Sequence, residues 1–164
     1  MENLKIAVIG TGKRAGAHLA TIPKLTDIYS LVAVCDINEE RLKPIAERHS
    51  VPGYTDVEKM LATEKPDVVL IAVGGIGHHV IAKIAAEYGA HILTETPIAS
   101  TLPCTDLMIN AAKEHNVKLE VSENVWRWPQ ERAKREIVDA GLIGEVTFAH
   151  LWYSSYWKSE ERKR

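Results

Sequence analysis

The chain has 164 residues, a formal net charge of −2 and 46% hydrophobic residues, which is an ordinary composition for a globular domain. This length is enough for one good hydrophobic core. The charge gives no indication of nucleic-acid binding, and no apolar run approaches the length of a membrane span. The N-terminus lacks the layout of a signal peptide, and Cys35 and Cys104 are predicted to be free thiols. We therefore expect a cytoplasmic protein with neither a nucleic-acid nor a membrane partner.

A glycine pattern follows the first apolar run of the chain. The run LKIAVI predicts a strand, GTGKRA follows it, and a helix is predicted over residues 13–26. Gly10 permits a tight turn, Gly12 lets a pyrophosphate approach the backbone, and Ala15 lets the helix pack closely on the strand. The amides at the helix N-terminus would then face the phosphates. The predicted cofactor contacts of this turn are Gly10, Thr11, Gly12, Lys13, Arg14 and Ala15.

An acidic residue after the second predicted strand strengthens this interpretation, because the glycine pattern also occurs in ordinary turns. Residues 31–35, LVAVC, predict a buried strand that ends at Asp36, the usual place for an acid that accepts hydrogen bonds from the adenosine ribose. Asp36 could also cap the helix that starts near Asn38. Its carboxylate would repel a 2′-phosphate and so favours NAD. NADP stays possible, because Lys13 and Arg14 could offer charge to a phosphate or could simply form a solvated helical turn.

Strands and helices alternate through the rest of the first 123 residues. The further predicted strands lie at Tyr54, 67–73, 91–94 and 118–122, and the further predicted helices at 39–49, 57–62, 78–88 and 102–115. Such alternation predicts an α/β fold with a doubly wound parallel sheet, whose ligand crevice lies at the carboxyl ends of the strands.

The last part of the chain has a different pattern. A charged helix is predicted over residues 129–141, and residues 145–157 alternate in polarity as in a long antiparallel strand. We predict a dinucleotide-binding domain over 1–123. Residues 124–164 would then be a connecting helix and the first strand of a truncated second domain. Because an unpaired strand edge is a template for a second copy, we expect a homodimer through residues 145–157.

Four stretches carry a resemblance to a known family: GTGKRA, Asp36, HHVIAKIAAEYGAHILTETP and ENVWRWP…GLIGEV. With them, residues 4–153 resemble the N-terminal part of the glucose–fructose oxidoreductase and inositol dehydrogenase family (Gfo/Idh/MocA). The resemblance implies a Rossmann domain of an oxidoreductase that transfers a hydride between NAD(P) and a sugar, polyol or similar substrate.

The resemblance also implies site residues outside the glycine turn. Glu95 and Pro97 match the ends of a Glu-Lys-Pro motif whose lysine lies near nicotinamide and substrate, but Thr96 stands at the lysine position. Threonine supplies no charge and no proton that titrates near neutrality. His78 matches a histidine after the fourth strand, or is simply a helix N-terminal residue, and Asn124 matches an asparagine after the sixth. The implied catalytic positions are Glu95 and Thr96, with the role of Thr96 open, and the implied cofactor contacts are His78, Glu95, Pro97 and Asn124.

Two other functions remain open at this point. Thr96 and the short second domain favour a non-catalytic NAD-binding module or pseudo-enzyme. An S-adenosylmethionine-dependent methyltransferase also uses a glycine turn and an acid after its second strand, although TETP and GLIGEV favour the oxidoreductase. No metal site is predicted, because the adjacent His78 and His79 point apart on a helix.

Overall fold

A computed structural model describes residues 3–152 and residue 154 of the chain. The chain divides into two compact units, of which the first ends at Glu123 and the second starts at Asn124. Among the described residues, no helix combines the length and the apolar character needed to cross a membrane.

Six parallel strands form the centre of the first unit. They are β1 (Leu4–Ile9), β2 (Tyr29–Cys35), β3 (Gly53–Tyr54), β4 (Val68–Ile71), β5 (His91–Thr94) and β6 (Leu119–Val121). Their order in the sheet is β3-β2-β1-β4-β5-β6, so the direction of winding reverses between β1 and β4. This reversal is the switch point at which doubly wound sheets form their ligand crevice. The predicted doubly wound parallel sheet is confirmed.

Helices cover both faces of this sheet. They are α1 (Lys13–Thr21), α2 (Glu39–His49), α3 (Val57–Glu64), α4 (His78–Glu87) and α5 (Leu102–Glu114). Residues of α1 and α2 share a hydrophobic cluster with Ile6 and Val8 of β1, whereas residues of α3, α4 and α5 share the other cluster with Ala7 and Ile9. Because both faces of β1 are buried from Ile6 onwards, residues 6–9 form a continuous apolar run without alternation.

The first helix is shorter than the sequence predicts. It ends at Thr21 and is followed by a 3₁₀ helix over Ile22–Lys24, although the prediction extended to residue 26. Pro23 explains the difference, since proline lacks the N–H group that would continue the hydrogen bonds of the α-helix.

The second unit contains a 3₁₀ helix, Val125–Arg127, and α6, Pro129–Asp139. Turns follow, with positive φ angles of 68° at Gly141 and 73° at Gly144. The strand predicted over 145–157 is wrong for residues 145–152, which form no strand. Alternating polarity gives a segment two faces but no partner, and no described part of the chain pairs with it. The rest of that prediction, Tyr153 and residues 155–157, lies outside the described residues.

Candidate functional site

The turn after β1 is one that only glycine fits. Gly10 has a φ angle of 93°, and a Cβ atom added there would lie 2.6 Å from the carbonyl oxygen of Ala72. Its N–H group donates a hydrogen bond of 2.7 Å to the carbonyl oxygen of Cys35. Ala15, on the inner face of α1, is fully buried at 0% exposure. These two small residues bring the start of α1 directly onto the carboxyl end of the sheet.

The N-terminus of α1 is open towards the crevice. Gly12 is the N-cap residue, and a Cβ added to it would meet nothing within 4 Å. No side chain in the described part of the chain caps α1, whereas Asn38, Asp56 and Thr101 accept hydrogen bonds from the first turns of α2, α3 and α5. Unpaired amides at a helix N-terminus, supported by the helix dipole, favour an anion such as a phosphate.

Asp36 stands at the end of β2 and is only 7% exposed. Its Oδ2 atom accepts hydrogen bonds from the backbone N–H of Thr11, at 2.8 Å, and from the Thr11 hydroxyl, at 2.9 Å. Its Oδ1 atom accepts from the backbone N–H of Asn38, at 2.9 Å, and from the Arg41 guanidinium, at 3.0 Å. Burial works to raise the pKa of Asp36, but these donors outweigh it and hold the pKa below its usual value. The carboxylate is therefore charged at neutral pH.

A cavity of about 430 Å³ joins the glycine turn to Asp36. Its lining includes Gly10, Gly12, Cys35, Asp36, Arg41 and Gly74. Burial, followed by the nearby charges of Asp36 and Asp56, raises the pKa of the Cys35 thiol to about 12, so this group stays protonated. A larger cavity of about 610 Å³ lies between α2, β3 and α3 and is lined by none of the predicted site residues. The smaller cavity is therefore the candidate site.

A second buried carboxylate, Glu95, follows β5 and is 3% exposed. His18 Nε2 lies 2.6 Å from its Oε1 atom, and Arg14 Nε lies 2.8 Å from its Oε2 atom. The backbone N–H of Thr96 also donates to Oε2, at 3.1 Å. Burial works to raise the pKa of Glu95, but the contacts with His18, Arg14 and Thr96 outweigh it and lower the pKa.

The turns after β4 and β5 lie against each other. Thr96 and Pro97 are exposed, the peptide bond between them is cis, and a Cβ added to Gly75 would lie 3.5 Å from Pro97. His78 is buried at 1% exposure, and its Nε2 atom donates to the carbonyl oxygen of Val73 at 3.1 Å. Its Nδ1 atom lies 3.1 Å from the hydroxyl of Thr94. His78 thus ties these turns together, and a contact with a cofactor stays a prediction for it.

The remaining predicted residues are more dispersed. Lys13 is exposed on the first turn of α1, and Asn124 is the first residue of the second unit.

The sequence analysis missed two residues that contact the buried carboxylates, Arg41 and His18. Arg41 could have been found, because it stands in the first turn of the helix that Asn38 caps, close to Asp36. His18 gave no such signal, because its partner Glu95 is 77 residues away. No described group of three or more histidine, cysteine or acidic side chains could hold a metal ion.

These features define a dinucleotide-binding Rossmann domain: a doubly wound parallel sheet, a glycine turn at its switch point, an uncapped helix N-terminus and a charged carboxylate after β2. Residues 4–123 match the family described as "Oxidoreductase family, NAD-binding Rossmann fold", and the chain belongs to this Gfo/Idh/MocA family. The predicted family and its cofactor, NAD, are confirmed, which places the chain among NAD-binding oxidoreductase domains rather than methyltransferases.

Known relatives fall in the same group. D-apiose dehydrogenase of Paraburkholderia graminis is 32% identical over 94% of this chain and 41% of its own length. The scyllo-inositol 2-dehydrogenase (NADP⁺) of Bacillus subtilis is 29% identical over 93% of this chain and 47% of its own. The WlbA dehydrogenase of Chromobacterium violaceum, solved with NADH and UDP-GlcNAcA, is 26% identical, with a TM-score of 0.85 over 88% of this chain and 42% of its own. The chain thus spans less than half the length of these proteins.

Proposed function

We propose that the protein transfers a hydride between NAD and a sugar, polyol or similar substrate, using this chain as its cofactor-binding part. The observation that carries the proposal is the geometry of the glycine turn with Asp36. The turn leaves open space at Gly12 beside uncapped amides, and it places a charged carboxylate at the other end of the same cavity. The related dehydrogenases are named for apiose and scyllo-inositol, which supports a polyhydroxylated substrate.

Each residue of the site has a proposed task. The amides of α1 hold the pyrophosphate, together with Thr11, Gly12, Lys13 and Arg14. The Asp36 carboxylate accepts hydrogen bonds from the adenosine ribose and disfavours a 2′-phosphate, so NAD is preferred to NADP. Once bound, the nicotinamide supplies the carbon that accepts or gives the hydride. The turn of Glu95, Thr96 and Pro97 is the proposed nicotinamide and substrate end, and His78 and Asn124 remain proposed cofactor contacts.

A second candidate function is a non-catalytic NAD-binding module. The observation that favours it is Thr96, an exposed residue without charge in the turn next to the buried Glu95. A well-placed acid–base group contributes about 100-fold or more to turnover. If the lysine role matters, Thr96→Lys in the full-length protein raises sugar oxidation on that scale. If the unmodified protein already oxidises sugars at ordinary rates, another group does this work and the module is excluded.

Titration of the protein with NADH, followed by nucleotide fluorescence, tests the cofactor part of the proposal. We expect saturable binding that NAD displaces, with weaker binding of NADPH. Tight binding of S-adenosylmethionine, with no response to either dinucleotide, would contradict the proposal. A panel of sugars and polyols, assayed by NADH absorbance with the full-length protein, then tests the substrate class.

We also propose a homodimer through residues 145–157 and a cytoplasmic location. In the described part of this segment, Phe148, Leu151 and Trp152 are each more than 80% exposed. Pairing with a second copy would supply the partner strand that the described part of the segment lacks. Light scattering on the chain and on a version ending at Gly144 tests this, since a dimer that survives the truncation excludes the segment as the dimer contact.

The free thiols of Cys35 and Cys104 support a reducing compartment, which cell fractionation would check.

A further inference from the structure

Glu95 takes its side-chain partners from the first helix of the fold. Arg14 and His18 are one helical turn apart and so share a face of α1. Each contacts a different oxygen of the carboxylate, His18 at Oε1 and Arg14 at Oε2. Because β4 lies between β1 and β5 in the sheet, these contacts cross the switch point from the glycine turn to the far side of the crevice.

The two partners of the Arg14–Glu95 ion pair differ strongly in exposure. The Glu95 side chain is 4% exposed and the Arg14 side chain 63% exposed. Arg14 Nε lies 2.8 Å from the carboxylate, so the solvent-accessible remainder of the guanidinium is free to reach a ligand. A guanidinium has five N–H donors in a planar fork, and can bind a carboxylate on one edge and phosphate oxygens on another.

The position of Arg14 on its helix decides which ligand it meets. It is the second residue of α1, directly after the Gly12 N-cap and Lys13. No described side chain caps this first turn, which opens on the space at Gly12. An anion bound by the first-turn amides would therefore lie next to the Arg14 guanidinium. The attraction between the anion and the guanidinium is strong there, because it increases as the distance between the two charges shortens.

We propose that Glu95 is a positioning residue, which holds the Arg14 guanidinium ready for the pyrophosphate of the dinucleotide. This inference rests on the proposed cofactor site and assigns a role to Glu95 that is distinct from chemistry at the nicotinamide. An unrestrained arginine loses rotamer freedom when it binds a phosphate. A partner that orders the side chain beforehand removes that cost from binding. His18 fixes the other oxygen of Glu95 and so restricts rotation of the carboxylate.

The test compares ligands with and without the pyrophosphate. We expect Arg14→Ala and Glu95→Gln each to weaken the binding of NADH and of ADP-ribose about tenfold, which is the effect of losing one charge-assisted hydrogen bond. Binding of adenosine, followed by NMR titration, stays unchanged, because adenosine has no phosphate. The double variant binds ADP-ribose no more weakly than Arg14→Ala alone, since Glu95 acts through Arg14.

Controls separate this role from a purely structural one. Arg14→Lys keeps a positive charge on an exposed position and recovers part of the ADP-ribose affinity, provided that the charge acts on a phosphate. Additive losses in the double variant, or an equal loss of adenosine binding, would overturn the proposal. So would unchanged ADP-ribose affinity in Arg14→Ala, which alters an exposed side chain and is expected to fold. If the unmodified protein binds neither NADH nor ADP-ribose, the proposed function itself fails.

Discussion

Two buried carboxylates stand at the ends of parallel strands in this domain, and their partners differ. Asp36, after β2, is held by the glycine turn and by the start of its own following helix. Glu95, after β5, is held mainly by side chains of α1, 77 residues earlier in the case of His18. The pKa of both carboxyls is lowered. The acid proposed to face the cofactor and the acid proposed to position Arg14 thus share a negative charge, a buried environment and a place at the end of a strand.

The partners of Asp36 indicate which contact a ribose would replace. A carboxylate has about four acceptor positions, and four donors fill those of Asp36. Three of these donors belong to the backbone or to the buried Thr11. The fourth, Arg41, has a side chain that is 55% exposed, so it can turn away at the least cost when a ribose hydroxyl arrives. Glu95 also has an exposed partner, since the Arg14 side chain is 63% exposed, but its other side-chain partner, His18, is only 26% exposed and lies on the same helix.

The largest expected effect concerns the turn on which both carboxylates depend. Gly10→Ala should lower the free energy of unfolding by about 3 kcal/mol. The alanine would have to keep a positive φ angle that is disfavoured for residues with a Cβ, and its Cβ would clash with the Ala72 carbonyl. Gly12→Ala is the matched control, since its Cβ meets open space. We expect that variant to change stability by less than about 1 kcal/mol and to weaken NADH binding. Urea denaturation measures both, and equal destabilisation would contradict the account of this turn.

The next effect tests Asp36 as the acceptor for the ribose. Asp36→Ala should weaken NADH by roughly tenfold to a hundredfold, the scale of hydrogen bonds to a charged group, and should weaken NADPH much less. Arg41→Ala is the control, because it leaves the other three donors of Asp36 in place. We expect it to retain NADH binding and to weaken NADPH, since it removes a cation near the ribose. Fluorescence titration with both nucleotides measures these affinities. If Asp36→Ala lowers the affinity for NADH and the affinity for NADPH equally, the role proposed for Asp36 is excluded.

A smaller effect concerns pH. A carboxyl group whose pKa is lowered by folding stabilises the protein above its unfolded pKa, and this contribution is lost as the pH falls through the lowered folded value. The free energy of unfolding should therefore decrease as the pH falls below about 4, the ordinary carboxyl range. Glu95→Gln should show a shallower decrease than the unmodified protein. Denaturation at a series of pH values measures the two slopes, and identical slopes would show that Glu95 is not responsible.

The smallest effect is expected for an ion pair at the surface. Lys83 Nζ and Glu87 Oε1 lie 3.6 Å apart on α4, and both side chains are well exposed. Water screens such pairs, so Lys83→Ala should change the free energy of unfolding by less than about 0.5 kcal/mol. If Lys83→Ala changed the free energy of unfolding as much as Glu95→Gln does at neutral pH, burial would not explain a difference between the Lys83–Glu87 pair and the Arg14–Glu95 pair.

Local patterns in the sequence predicted most of the fold and Asp36, whereas Glu95 was identified only through the family resemblance. The strands over 4–9 and 91–94 could be placed because buried parallel strands are apolar runs with clear ends. Asp36 could be found because the glycine turn, the strand and the acid follow one another at a fixed spacing. The contacts of Glu95 could not be predicted, because they depend on how two distant βα units pack. The strand prediction was wrong for residues 145–152 for a related reason, since alternation does not identify a partner strand.

The uncapped first turn of α1 has a consequence for how the domain responds to its cofactor. The leading N–H groups of this helix have no side-chain acceptor among the described residues, in contrast to those of α2, α3 and α5. A bound pyrophosphate would complete the helix in the way that a serine or an aspartate does elsewhere. Amide hydrogen exchange in this turn should then slow markedly on addition of NAD, and the dinucleotide would act as part of the secondary structure that holds it.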